Sequence, residues 1–148
     1  MKLYAETSAV VAWWMGEARA ADVKRVLDSA EAVMASELTV IECERVVIRG
    51  LALGSLTEVE ASSRRATLQS LISGWTQLRM DGEILERAKR PFPDEPVRTL
   101  DALHLSSALM ARSSVTGLVF LTLDERLRKN AKLLGFGLLP AARRGFRA

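Results

Sequence analysis

Glu6, Glu42, Asp101 and Asp124 are four carboxylates far apart in the chain, each placed where the local pattern changes. Glu6 closes a short apolar run and precedes a helix-start signal. Asp124 repeats that arrangement near the other end. Glu42 and Asp101 fall about one turn into segments that read as helices, on faces otherwise mostly apolar. A carboxylate turned toward a core is costly unless it is paired or holds a metal ion. Mg2+ and Mn2+ take hard oxygen ligands, commonly one or two carboxylates with water for the rest. Four such acids on one fold point to a divalent-metal site and to chemistry carried out there. The plainer alternative is that Asp124 is only an N-cap and Glu42 only an ion-pair partner of Arg45 or Arg49.

Competing chemistries lack their residues. One cysteine, Cys43, and one histidine, His104, nearly exclude a structural zinc site. The phosphate-binding loops G-x-x-x-x-G-K-[ST] and G-x-G-x-x-G are absent, as is the G-x-S-x-G elbow. So is the D-x-D motif that an aspartyl-nucleophile phosphatase needs. His104 lies three residues after Asp101, on the same side of a helix. It reads as a packing histidine that hydrogen-bonds nearby, with a general base as the other option. Cys43 points elsewhere on its helix and reads as core.

The elements that must position these acids alternate along the chain. Lys2-Leu3-Tyr4-Ala5 predicts a strand, and Thr7 and Ser8 can cap a helix over Ala9 to Met15. Helices are also predicted over Arg19 to Ser29, from Ser36 to about Arg49, and over Thr57 to Ile72. The last opens with a capping box, Thr57 with Glu60 three residues on. Gly82 to Arg90, Val97 to Arg112 and Asp124 to Leu134 follow as helices, the last closed by Gly135 at C′. Strands are predicted at Ala32 to Ala35, Trp75 to Met80, Leu118 to Leu123 and Phe136 to Leu139. Gly50 and Gly54 bracket a turn, and the proline-rich run Pro91 to Pro96 is a surface loop. Alternating strands and helices imply one α/β/α domain over residues 1–140, a parallel sheet of about five strands with helices on both faces. In such sheets function gathers at the carboxyl ends of the strands, where Glu6 and Asp124 fall.

The chain of 148 residues is the size of one domain, enough to bury about 70% of its unfolded surface. No apolar run approaches the ~18 residues that cross a bilayer, and Glu6 interrupts the opening stretch, so no signal peptide or membrane span is expected. With a single cysteine, the cytoplasm is the expected compartment. The net charge of +3 conceals an asymmetry. Seven bases and no acid follow Glu125, whereas the first 125 residues carry 14 bases against 18 acids. A basic C-terminal surface, with Arg126, Arg128, Lys129, Arg143 and Arg144 as candidate RNA contacts and residues 141–148 as a tail, suits a polyanion held by its phosphates. A solvated helix face with a loose tail is the alternative.

Four segments together carry a family resemblance. Leu3 to Ala9 (LYAETSA) resembles the opening strand and turn of PIN-domain ribonucleases, in particular VapC-type toxins. Ser36-Glu37-Leu38-Thr39 leading to Glu42 and Arg45 resembles their second motif, and Arg98 to His104 (RTLDALH) their third. Phe120 to Leu127 (FLTLDERL), then Ala131 and Leu134-Gly135-Phe136, resembles the fourth and the closing strand. The resemblance implies a Mg2+- or Mn2+-dependent endoribonuclease whose cut leaves a 5′-phosphate and a 3′-hydroxyl. It implies Glu6, Glu42, Asp101 and Asp124 as metal ligands, directly or through water, supported by Thr7, Ser8 and Thr122. It further implies a homodimer and a cognate VapB-type antitoxin. The family's first acid is most often Asp, so Glu6 departs from the pattern by one methylene. A PIN-like module that binds RNA or antitoxin but cuts poorly is the second reading. Trp13 and Trp14 point about 100° apart on a helix, so one is expected in the core and the other can face a partner.

Overall fold

A computed structural model describes residues 1–142. Its five strands are β1 (Lys2–Ala5), β2 (Ala32–Ser36), β3 (Thr76–Leu78), β4 (Leu118–Leu121) and β5 (Gly137–Leu139). All pair in parallel in the order β3-β2-β1-β4-β5. Seven helices connect them among the described residues: α1 (Thr7–Met15), α2 (Ala20–Asp28), α3 (Glu37–Ala52), α4 (Glu58–Ile72), α5 (Gly82–Ala88), α6 (Thr99–Ser114) and α7 (Glu125–Leu133). Parallel strands need crossovers, and the crossovers put helices on both faces.

Strand alternation assigns each side chain to a face. Leu3 and Ala5 of β1, Val33 of β2 and Leu121 of β4 pack beneath α1 to α4, with Val10, Trp14, Cys43 and Leu68 in one cluster. Tyr4 of β1 and Leu118 and Phe120 of β4 turn to the opposite face, against Leu105 and Ala108 of α6 and Leu127 of α7. Central β1 and β4 are therefore apolar on both sides, as the continuous run LVFL foretells. Cys43 is buried as expected. Trp14 is core and donates its indole N–H to the Arg64 carbonyl at 2.8 Å, while Trp13 is half-buried at the edge of the same cluster.

Several local expectations shift: α1 starts at Thr7 with Glu6, not Thr7 or Ser8, as its N-cap, and β3 spans Thr76–Leu78 rather than Trp75 to Met80. The apolar run after Leu121 leaves the strand, because Thr122 and Leu123 turn the chain toward α7. Gly50 is not a turn residue but lies inside α3, which continues to Ala52. A Cβ there would stand 2.6 Å from Leu56 Cδ1, so its bareness lets Leu56 fold back onto the helix. The capping box at Thr57 and Glu60 is present, and Gly135 takes φ +86° past the end of α7.

β1 is the pivot of the topology. From it the chain winds outward through β2 to β3 on one side and through β4 to β5 on the other. The reversal leaves a crevice at the carboxyl ends of β1 and β4, the usual ligand position in open α/β sheets.

Candidate active site

Glu6 follows β1 directly and is the N-cap of α1; Asp124 follows β4 by two residues and is the N-cap of α7. Two helix N-termini therefore face the crevice with their positive ends. The Glu6 carboxylate is buried, at 5% exposure, and fully engaged. It accepts hydrogen bonds from the Ser8 amide at 3.0 Å, the Ser8 hydroxyl, and the Thr122 hydroxyl at 2.6 Å. Ser8 Oγ in turn accepts from the amides of Leu123 at 2.9 Å and Asp124 at 3.2 Å. One serine thus ties the end of β1 to the turn that carries Asp124. Thr7, Ser8 and Thr122 all touch a candidate acid, Thr7 by donating to Glu42 Oε1 at 2.7 Å.

Glu42 comes from α3, and its partner is not Arg45 or Arg49. The same Oε1 lies 2.6 Å from Nε2 of His104 on α6. His104 is 1% exposed and its Nδ1 meets the buried Tyr4 hydroxyl at 2.9 Å. A chain Tyr4–His104–Glu42 therefore crosses beneath the crevice, with Thr7 at its open end. Burial raises the Glu42 carboxyl, but the hydrogen bond and charge of His104 and the Thr7 hydroxyl outweigh it and hold the group below its ordinary range. Reading His104 as a packing histidine with a nearby hydrogen bond fits this, and its neighbour is a candidate catalytic acid. Nothing in the local sequence links positions 42 and 104; only the fold does.

Asp101 is the open acid, with Asp124 as its charged neighbour. Asp101, in the first turn of α6, is half-buried and makes no hydrogen bond among the described residues. Burial first, and the neighbouring Asp124 charge second, raise its carboxyl above the usual aspartate range. Asp124 is partly buried too, yet Arg126 and the amides of Arg126 and Leu127 hold it low. It is thus an N-cap, as the plainer alternative has it, with its second oxygen 3.3 Å from the Arg126 guanidinium.

The fit of a metal ion is split accordingly. Two half-buried carboxylates that repel one another, one without a hydrogen-bond partner, have the hard-oxygen character Mg2+ or Mn2+ takes. Glu6 and Glu42 are already satisfied. Among the described residues, no group of three or more His, Cys, Asp or Glu stands close enough together to hold one ion. The four acids line one edge but do not form a single ligand shell.

The candidate RNA contacts divide as well. Arg128 is buried at 7%, and its Nη1 donates to the carbonyls of Thr122 at 3.0 Å and Leu139 at 3.4 Å. It is a clamp on the β4–α7 turn rather than a surface cation, because the Thr122 carbonyl has left the sheet ladder and needs a donor, whereas the Leu139 carbonyl also takes the Thr122 amide at 3.0 Å. Arg126 is exposed beside Asp124, and Lys129 pairs with Asp94 at 2.7 Å. Arg143 and Arg144 lie outside the described residues.

A five-stranded parallel α/β/α domain with carboxylates at its switch point is the class that fold and site define. The sequence model of the PIN domain matches residues 3–133, and the chain belongs to that family, whose members are generally nucleases. No curated protein matches the sequence. Three solved structures share the fold. A toxin–antitoxin complex from Klebsiella pneumoniae is 17% identical, with a TM-score of 0.62, over 95% of this chain and 97% of that one. VapBC2 from Rickettsia felis, bound to a DNA fragment from its promoter, is 11% identical, with a TM-score of 0.58, over 93% and 97%. PAE2754 from Pyrobaculum aerophilum is 20% identical, with a TM-score of 0.60, over 88% and 84%. No described helix is long and apolar enough to cross a membrane.

Proposed function

We propose that this chain is a Mg2+- or Mn2+-dependent endoribonuclease, the cytoplasmic toxin of a VapBC-type pair, acting as a homodimer and held in check by a VapB-type antitoxin. The observation that carries the reading is Asp101, a half-buried carboxylate with no hydrogen-bond partner among the described residues, set beside the charge of Asp124 at the carboxyl edge of a PIN domain. Asp101 and Asp124 would hold the ion, with Glu6 and Glu42 completing the ligand set directly or through water. A bound divalent ion supplies an acidified water as nucleophile and charge for the phosphate in flight. Thr7 and His104 fix the Glu42 carboxylate, and Ser8 and Thr122 fix Glu6, so neither acid has to be reorganised at the moment of reaction. Arg126, Lys129, Arg143 and Arg144 would hold flanking phosphates; Arg128 drops out of that set. Toxin–antitoxin complexes among the structures that share the fold support the partner assignment.

Asp101→Asn or Asp124→Asn should lower RNA cleavage at least 100-fold, and EDTA should do the same to wild type, by analogy with the loss of a charge-stabilising group. Cleavage that survives all three sinks the proposal. A binding module with weak cleavage is the second reading, and the full engagement of Glu6 favours it. Under it, Glu6→Asp, which shortens the reach and frees Thr122 or Ser8, raises cleavage severalfold or more; an unchanged rate in a fluorogenic RNA assay counts against it.

A further inference from the structure

Beside Asp101 a cavity of about 430 Å3 opens between the loop before α6, the first turn of α6, and α7. That volume lies within the ~300–1,000 Å3 of small-ligand sites. Its walls carry three kinds of chemistry. Asp101 stands on the side shared with the candidate active site, Arg98 and Arg126 supply two guanidinium groups, and Pro96 and Val97 supply an apolar face. Both arginines lie near enough to lower the Asp101 carboxyl against its other neighbours.

Of the cations Arg98 is unpaired among the described residues, and of the three acids on the wall Asp94 and Glu95 are engaged while Asp101 is not. Asp94 pairs with Lys129, and Glu95 accepts the amides of Phe92 at 2.8 Å and Val97 at 2.6 Å. Arg98 is exposed and makes no side-chain hydrogen bond or ion pair among the described residues. Arg126 is 56% exposed and touches Asp124 only at 3.3 Å. The loop is also fixed in place. Buried Asn130 accepts from the Asp94 amide and donates to the Asp94 carbonyl, both at 3.0 Å. A wall fixed in this way spares the loop backbone an ordering cost on binding, leaving that of the two arginine side chains.

We propose that this cavity seats the RNA nucleotide adjacent to the bond that is cut, its phosphate taken by Arg98 and Arg126 and its base laid against Pro96 and Val97. Guanidinium groups take phosphate in a two-pronged geometry that ammonium cannot copy. A nucleotide places negative charge at one end and a neutral ring at the other, matching two cations opposite an apolar face. An acidic peptide would carry further carboxylates toward Asp94, Glu95 and Asp101. The subsite rests on the ribonuclease reading but adds to it a residue, Arg98, outside the acid set.

The test is fluorescence anisotropy of a labelled single-stranded oligoribonucleotide, with Ca2+ as the only divalent ion, across a NaCl series. Wild type is compared with Arg98→Gln, Arg98→Lys and, as a charge-matched control off the cavity, Lys24→Gln. Arg98→Gln should weaken binding roughly 10-fold, the scale of one charged hydrogen-bonded contact. It should also flatten the slope of log affinity against log salt by about 0.7, the share of one phosphate on a single strand. Arg98→Lys should restore the slope but not the full affinity, and Lys24→Gln should change neither. Wild-type affinity and slope in Arg98→Gln overturn the subsite, as does loss of binding to a glutamate-rich peptide with RNA binding intact. Wild type that neither binds nor cuts RNA overturns the ribonuclease reading and the subsite together, whereas wild type that cuts alongside an unaffected Arg98→Gln overturns the subsite alone.

Discussion

Asp101 carries a cost that its neighbour Asp124 makes worse. Its carboxyl is raised by burial and by that second charge, so the folded chain holds this proton more tightly than the unfolded chain does. The sign follows from linkage. Stability contributed by the proton is present below the unfolded aspartate value of about 3.9, and is lost as pH rises through the raised folded value. At neutral pH the ionised group is therefore a net burden. Asp101→Asn should melt above wild type at pH 7, with the gap closing near pH 3–4. The gain is small because solvent screens a half-exposed carboxyl. Calorimetry across that pH range checks it, and a variant that melts lower at pH 7 contradicts it. On these expectations Asp101→Asn gains stability where it loses activity, the trade-off expected of a group kept for function. The four acids are legible in the sequence because Glu42 and Asp101 put charge on otherwise apolar helix faces and Glu6 and Asp124 end apolar runs just before helix starts. Their state is not: that Glu42 is tied to His104, 62 residues away, and Asp101 left free depends on which helices lean together.

Between residue and domain, the β4–α7 turn does the positioning. It carries Thr122 and Asp124, and Arg128 staples it from below through the carbonyls of Thr122 and Leu139. The long aliphatic stem fills buried space while the head satisfies backbone. Arg128→Met keeps the stem and removes the donors, leaving the Thr122 carbonyl short of a partner while the Leu139 carbonyl keeps the Thr122 amide at 3.0 Å. We expect a loss of about 1–3 kcal/mol, seen as a lower urea midpoint at unchanged slope, and a fall in RNA cleavage because Asp124 loses its footing. An unchanged midpoint would show that water replaces the guanidinium. Elements are the most legible level of this chain. The Thr57–Glu60 capping box, the proline-rich loop and the doubly apolar LVFL strand are all local signals, and each marks the element it implies. Gly50 and Arg128 defy their local signals for a shared reason. Glycine usually marks a turn and arginine usually marks a surface, and here a tertiary contact, with Leu56 in one case and the Thr122 carbonyl in the other, decides otherwise.

Across the whole molecule, charge is sorted along the chain: acids gather before residue 126 and only bases follow. On the ribonuclease reading an acidic edge would repel RNA and an electropositive region would have to bring the strand in; the last six residues of the sequence hold Arg143, Arg144 and Arg147 as candidates. Such bases contribute uniformly to substrate and transition state, which lowers KM without raising kcat. Ending the chain after Ala142 should therefore raise KM for RNA while kcat at saturating substrate holds. It should also flatten the dependence of log affinity on log salt by about 0.7 for each phosphate no longer neutralised, up to about 2 for three arginines. The gap in KM between the two chains should narrow as NaCl rises, because screening removes from the full-length protein what truncation removes from the short one. Steady-state cleavage at two salt concentrations separates the outcomes. A fall in kcat at unchanged KM would place those arginines at the reacting phosphate rather than along the strand, and identical kinetics at both salts would make the basic C-terminus a solvated tail with no part in RNA capture.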